Sequence, residues 1–176
     1  MIRIILLFSA FLAILISGCE PKNQFLSHQE IETEKENIKN VIISFNKASE
    51  EEDFSKMIEY LSDEVTFYGT DSAEVLKSFA EYKKAIDEQW QVYDKISYGN
   101  LEDVTIFIDQ QGTLATIFYG TNAKVTKSGV TNDFYLRGAR VLNKVANKWL
   151  IEGGLTGIVR TENPHNTAKT DTLIAK

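Results

Sequence analysis

Residues 131–145, TNDFYLRGARVLNKV, and 148–159, KWLIEGGLTGIV, decide the fold. Side-chain character alternates along both, the period of two that a pleated strand imposes by turning neighbours to opposite faces. The VANK that joins them is turn-sized, so the pair reads as a hairpin. Two runs of the same kind come before it, LEDVTIFID at 101–109 and TLATIFYGTNAKV at 113–125, with DQQG and KSG as spacers. Four strands linked at hairpin distance predict an antiparallel sheet.

Upstream of Leu101 the period lengthens. Ile31, Ile38, Val41, Ile42, Phe45 and Ala48 follow three-four spacing and draw one apolar helix stripe, with Glu32, Lys35, Glu36 and Lys39 outside it. Asp53 is placed to cap a second helix with the stripe Phe54, Met57, Ile58 and Leu61. VTFYGT at 65–70 alternates as a strand. Asp71 and Glu74 then have capping-box spacing and open a third helix through Val75, Leu76, Phe79, Ile86 and Trp90. Helices first and hairpin-linked strands afterwards make an α+β chain, three N-terminal helices packed on one face of a curved antiparallel sheet.

The front of the chain reads as an export leader. Arg3 supplies a positive start, and the thirteen residues Ile4 to Ile16 are almost wholly apolar. That length suits the middle of a signal peptide, whereas a bilayer span needs roughly 20 residues. Ile16, Ser17, Gly18 and Cys19 resemble the box of a bacterial lipoprotein signal. The resemblance implies cleavage between Gly18 and Cys19 and a diacylglyceryl group on the Cys19 sulfur. Two acyl chains give stable membrane attachment where one holds only marginally. Glu20, rather than Asp, after the cysteine points to the outer membrane by the sorting rule of many two-membrane bacteria. The expected organisation is a leader at 1–18, a lipidated tether at 19–30, one domain at 31–160 and a polar tail at 161–176.

Charge and cysteine content exclude other classes. The chain carries 25 acidic against 19 basic residues, a formal charge of −6. Nucleic acid is not an expected partner, because its binding needs a basic footprint. Cys19 is the only cysteine, so no internal disulfide can form. The two histidines, His28 and His165, fall in the tether and the tail, which argues against histidine catalysis or a histidine metal site. Gly153, Gly154 and Gly157 lie inside a strand run without a following helix and lysine. They mark a bulge or a close backbone approach rather than a phosphate loop. No cofactor is expected.

The order helix–helix–strand–helix–four strands resembles the nuclear transport factor 2-like (NTF2-like) superfamily and, within it, the SnoaL-like proteins, from about Glu32 to Val159. DFSKMIEYLSDEVTFYG, DSAEVLKSFAEYKKAIDEQW and LRGARVLNKVANKWLIEGG carry the resemblance. It implies a cone in which the sheet wraps a helix and leaves a pocket at the open end. Candidate pocket-lining residues are Tyr68, Trp90, Tyr119, Tyr135, Arg137 and Trp149, with the Tyr135 and Arg137 side of its strand facing inward by analogy. Arg137 would grip a carboxylate, phosphate or enolate through forked hydrogen bonds, or pair with Asp133 or Glu152. Many relatives carry a histidine six residues after the last-strand tryptophan, where this chain has Leu155. The resemblance therefore implies a cone that binds a small, partly apolar molecule or serves as an envelope accessory module. The alternative is an isomerase, dehydratase or hydrolase using Asp133 or Glu152. A homodimer through the outer sheet face is compatible with either.

Overall fold

The computed structural model describes residues 25–159. Gly18 and Cys19, the leader and the tail 161–176 lie outside the described residues. Helix α1 spans His28–Glu50 and so starts within the stretch expected to be tether. Ser27 and Glu30 explain the early start. The Ser27 side chain accepts the Glu30 N–H, and the Glu30 carboxylate accepts the Ser27 N–H, which satisfies two end donors at once. The expected stripe is the buried one: Ile38, Ile42, Phe45 and Ala48 face the core. Glu32–Lys35 and Glu36–Lys39 pair on the solvent side.

Asp53 caps α2 as expected, accepting the Lys56 N–H at 3.0 Å. The helix is a single turn, Phe54–Met57, followed by a 3₁₀ turn at Ile58–Tyr60. Leu61, expected at the end of its stripe, instead begins strand β1, Leu61–Tyr68. The third helix also starts later than expected. Glu74 does accept the Asp71 N–H, but the two close a turn, and Val75–Leu76 form strand β2 against Phe67 and Tyr68. The working cap is Ser78, which accepts the Glu81 N–H and opens α3, Phe79–Val92.

The remaining strands are β3 (Lys95–Tyr98), β4 (Glu102–Ile108), β5 (Leu114–Lys127), β6 (Val130–Val145) and β7 (Lys148–Ile158). β3 is too short to show a period and was not expected. It takes the edge of β5 just beyond the point where β4 leaves it, with Tyr98 opposite Ala123 and Glu102 opposite Gly120. The sheet order is β2-β1-β7-β6-β5-β3, with β4 also on β5. The expected all-antiparallel sheet is corrected at one pair. β1 runs parallel to β7, Leu61 opposite Ile151 and Tyr68 opposite Leu155. Parallel neighbours need a long crossover, and the whole helix–hairpin series between them supplies it.

Register slips curve the sheet. Val141 faces Gly153 and Leu142 faces Ile151, so Glu152 is an extra residue in β7. Beside it Gly154 has φ +156°, and a Cβ there would stand 2.0 Å from the Ala139 carbonyl oxygen. Only glycine fits that approach. The helices lie against the inner face, where α1, Met57 and Ile86 pack on Phe67, Ile117, Leu142 and Ile151. No helix among the described residues is long and apolar enough to cross a membrane.

Candidate functional site

Leu142 is fully buried and sets the inner face of β6. Alternation then puts Arg140, Gly138 and Leu136 on that face and Val141, Ala139, Arg137 and Tyr135 on the other. Pairing with β5 agrees, since Leu142, Arg140 and Gly138 stand opposite the buried Ala115, Ile117 and Tyr119. The expected orientation of the arginine strand is therefore reversed. Arg137 is exposed on the outer face, and the arginine inside the cone is Arg140.

Two aromatic rings hold the Arg140 guanidinium, Phe67 at 5.6 Å and Tyr119 at 5.9 Å from their centroids. Nη1 donates to the carbonyls of Ala139 and Leu155, and Nη2 donates to Thr156 Oγ1. All three acceptors are neutral. None of the salt bridges among the described residues includes Arg140.

Tyr82 of α3 and Tyr98 of β3 share this space. Burial raises the Tyr82 phenol well above its ordinary value, with the Arg140 charge opposing the rise. Burial likewise raises Tyr98, opposed by its interaction with the Ser49 hydroxyl and by Arg140. Both stay neutral O–H groups at physiological pH. The Tyr119 phenol lies on Gly138, where a Cβ would come within 2.5 Å of Cζ. No fully buried side-chain nitrogen or oxygen among the described residues lacks a partner. Tyr82 and Tyr119 are buried, 6% and 7% exposed, and belong to the core cluster with Phe67. Toward the start of β6 the cover thins. Leu136 and Phe134 are half-buried, and Ile158, opposite Leu136, is 45% exposed. An arginine and three tyrosines thus gather on the inner face, and the half-buried Glu50 carboxylate joins them at Tyr98, whose N–H it accepts.

Residues 38–153 match the family model described as the SnoaL-like domain. The chain belongs to the SnoaL-like family. Solved structures repeat the fold at low identity. A candidate dehydratase of the NTF2-like family from Streptomyces avermitilis is 16% identical, with 73% of this chain and 97% of that one covered at TM-score 0.64. A ketosteroid isomerase-like protein from Erwinia carotovora is 16% identical, covering 71% and 95% at TM-score 0.60. An NTF2-like protein with a cystatin-like fold from Novosphingobium aromaticivorans is 12% identical, covering 82% and 94% at TM-score 0.64. No curated protein matches the chain.

In this SnoaL-like domain, Tyr119 is the one expected pocket residue that joins the Arg140 group. Trp149 is buried, but its Nε1–H donates to Glu34 at 2.6 Å, beside Lys144 Nζ at the same distance. Trp90 donates to the Ser49 carbonyl and meets Phe54 edge-on. Tyr68 is 50% exposed on the outer face, because its neighbour Phe67 takes the inner one. Tyr135 also lies outside, half-buried over Gly120 and close to Glu102. Asp133 is a solvent residue 4.0 Å from Lys124. Glu152 sits at the β7 bulge and lines a polar depression of about 810 Å³ with Ser62, Asp63, Glu64 and Lys77. That depression shares no lining residue with the Arg140 group.

Sequence reasoning missed Tyr82, Tyr98 and Arg140. For Tyr82 a signal was present, since Phe79, Tyr82, Ile86 and Trp90 keep three-four spacing. For Arg140 the only signal was parity with Leu142.

Proposed function

We propose that this SnoaL-like domain is a binding module tethered to a bacterial envelope through lipidated Cys19, and that its cone takes a small, partly apolar molecule. One observation supports binding above the rest: Arg140 lies on the inner face between the Phe67 and Tyr119 rings with only neutral hydrogen-bond acceptors. Such sites draw affinity from apolar area and orientation from a few placed donors. The tether rests on the leader, which runs from Arg3 through the apolar stretch to Ile16, Ser17, Gly18 and Cys19. The acidic chain has little electrostatic attraction to an anionic bilayer, so the acyl chains must hold it there. Glu20 favours the outer membrane. Native mass spectrometry of protein drawn from its own membrane in mild detergent tests both parts. The expected result is an acylated Cys19 and a retained small molecule. An unmodified thiol would overturn the tether, and a cone that is empty and takes up no added small molecule would overturn the binding role.

The names of the structural neighbours favour a second reading, an isomerase or dehydratase. Here Arg140 and the phenols would stabilise an oxyanion. The acid–arginine pairing expected from sequence is not the basis for it. Arg137 stands opposite Gly157, five residues along β7 from Glu152, which is roughly 16 Å at strand spacing. Turnover of a ketosteroid or hydroxy-ketone that disappears in Arg140→Gln would favour this reading over simple binding.

The outer face suits a second copy of the chain. Val75, Tyr68, Leu155, Ala139 and Phe118 stand in register across five strands, and Phe107 meets Phe118 edge-on at 6.4 Å. Around this row lie Arg137 and Lys124 as well as Glu102, Asp103 and Asp133. A rim of both signs can complement itself across a two-fold axis.

A further inference from the structure

We infer that the ligand of the cone is an organic monoanion, its carboxylate received by the N–H groups of Arg140 that Ala139, Leu155 and Thr156 leave free, with the Tyr82 phenol beside it. This rests on the binding reading above and narrows it to a chemical class.

The argument begins with charge. A guanidinium drawn out of water is unfavourable unless paired, and neutral acceptors satisfy its N–H groups without cancelling its charge. Eight lysines form ion pairs among the described residues, yet the half-buried arginine of the inner face has only carbonyls, a hydroxyl and two rings. Glu50, the carboxylate that acts on Tyr98, accepts the Tyr98 N–H and forms no salt bridge with Arg140. A low-polarity enclosure strengthens the Arg140 field toward any anion that enters.

Geometry then selects the kind of anion. Both Nη1 hydrogens are used on Ala139 and Leu155, and one Nη2 hydrogen is used on Thr156. At least two of the five N–H groups of the planar guanidinium remain. A carboxylate accepts from such a pair with its two oxygens. Phe67 and Tyr119 flank the guanidinium, so the approach is along its edge. Tyr82 and Tyr119 bring phenols to the same group, and burial keeps the Tyr82 phenol from ionising and repelling the guest. A phosphate monoester carries about −1.5 to −2 at neutral pH, more than one guanidinium balances. The rings of Phe67 and Tyr119 that flank the guanidinium ask for a hydrocarbon body behind the acid group.

The test uses the full lipidated chain in nanodiscs and a matched set of probes: 3-phenylpropionate, 3-phenylpropionamide and 3-phenylpropyl phosphate. Titration calorimetry at pH 7 should give the acid about tenfold or more tighter binding than the amide, the size of effect expected of charge-assisted hydrogen bonds. Arg140→Gln should remove that preference, Arg140→Lys should restore part of it, and Tyr82→Phe should reduce it severalfold. If Arg140→Gln does not fold, the Lys and Phe variants carry the comparison. Acid and amide binding equally would overturn the inference while leaving the cone a binding site. So would a phosphate preferred over the acid, or an acid preference that survives in all three variants. Failure of every probe, together with an empty cone in protein from its own membrane, would overturn the binding reading itself.

Discussion

Two hydrogen bonds of 2.6 Å, from Lys144 Nζ and Trp149 Nε1, end on the carboxylate of Glu34. Lys144 stands opposite Trp149 across β6 and β7, so one side chain of α1 holds both strands. The knot lies four residues along β6 from Arg140, roughly 13 Å away, and therefore bears on stability rather than on the proposed ligand. Burial is the largest influence on Glu34 and raises its pKa. The hydrogen bonds from Lys144, Trp149 and Asn37, with the Lys144 charge, lower it by more, and the net position is below the ordinary 4.5. A carboxyl lowered by folding adds stability that is fully present above its unfolded pKa and is lost as pH falls through its folded one. Glu34→Gln should therefore destabilise the domain by about 1–3 kcal/mol at pH 7. The gap to wild type should shrink below about pH 4.5. Urea unfolding from pH 7 to 3 checks both, and a gap of constant size would contradict the assigned role.

At the scale of elements, the turns between long strands carry the local strain. Ala146 and Asn147 join β6 to β7 with φ of 49° and 65°, the two positive values of a tight hairpin turn whose twist matches its strands. Asparagine tolerates that region, but alanine there costs about 1–2 kcal/mol. Ala146→Gly should raise stability by about 0.5–1 kcal/mol, the relief of strain less the greater freedom of glycine when unfolded. Thermal unfolding with an unchanged denaturant slope is the check, and a lower midpoint would show the turn to be unstrained. VANK could be read as a turn because it interrupts two alternating runs. Its left-handed pair could not be read, since the asparagine–glycine signal of such turns is missing. The start of the third helix is set by a similar non-local choice. Asp71–Glu74 and Ser78–Glu81 both have cap spacing, and only pairing of Val75 and Leu76 with β1 chooses the second.

For the whole molecule, the two faces of the sheet take separate roles in our proposals. The inner face holds the helices and the Arg140 group, and the outer face offers an apolar row to a second copy. Phe118→Arg puts a charge at the β5 end of that row, against Phe107. It should turn a dimer into a monomer with the fold retained, seen by light scattering and circular dichroism. A wild-type protein that is monomeric at high micromolar concentration would remove the proposed interface. Attachment to the membrane should be independent of either face. Cys19→Ser should leave the domain folded and move it from the membrane pellet to the soluble fraction, and unchanged sedimentation would dismiss lipid tethering.

Local periodicity alone determined the α+β class, the α1 stripe and the four long strands, and the glycines at 153 and 154 marked a bulge or a close backbone approach without choosing between them. Each of these depends on residues a few positions apart, and the chain displays that directly. It also carried the SnoaL-like resemblance. Tertiary structure alone decided the parallel pairing of β1 with β7, the existence of β3, and the inner face of β6. That last choice is not local. Tyr135, Ala139 and Val141 are about as apolar as Phe134, Leu136 and Leu142, so alternation by itself leaves two equal answers. Packing against Ala115, Ile117 and Tyr119 across the sheet breaks the tie, and it carries Arg140 into the cone while Arg137 stays in water.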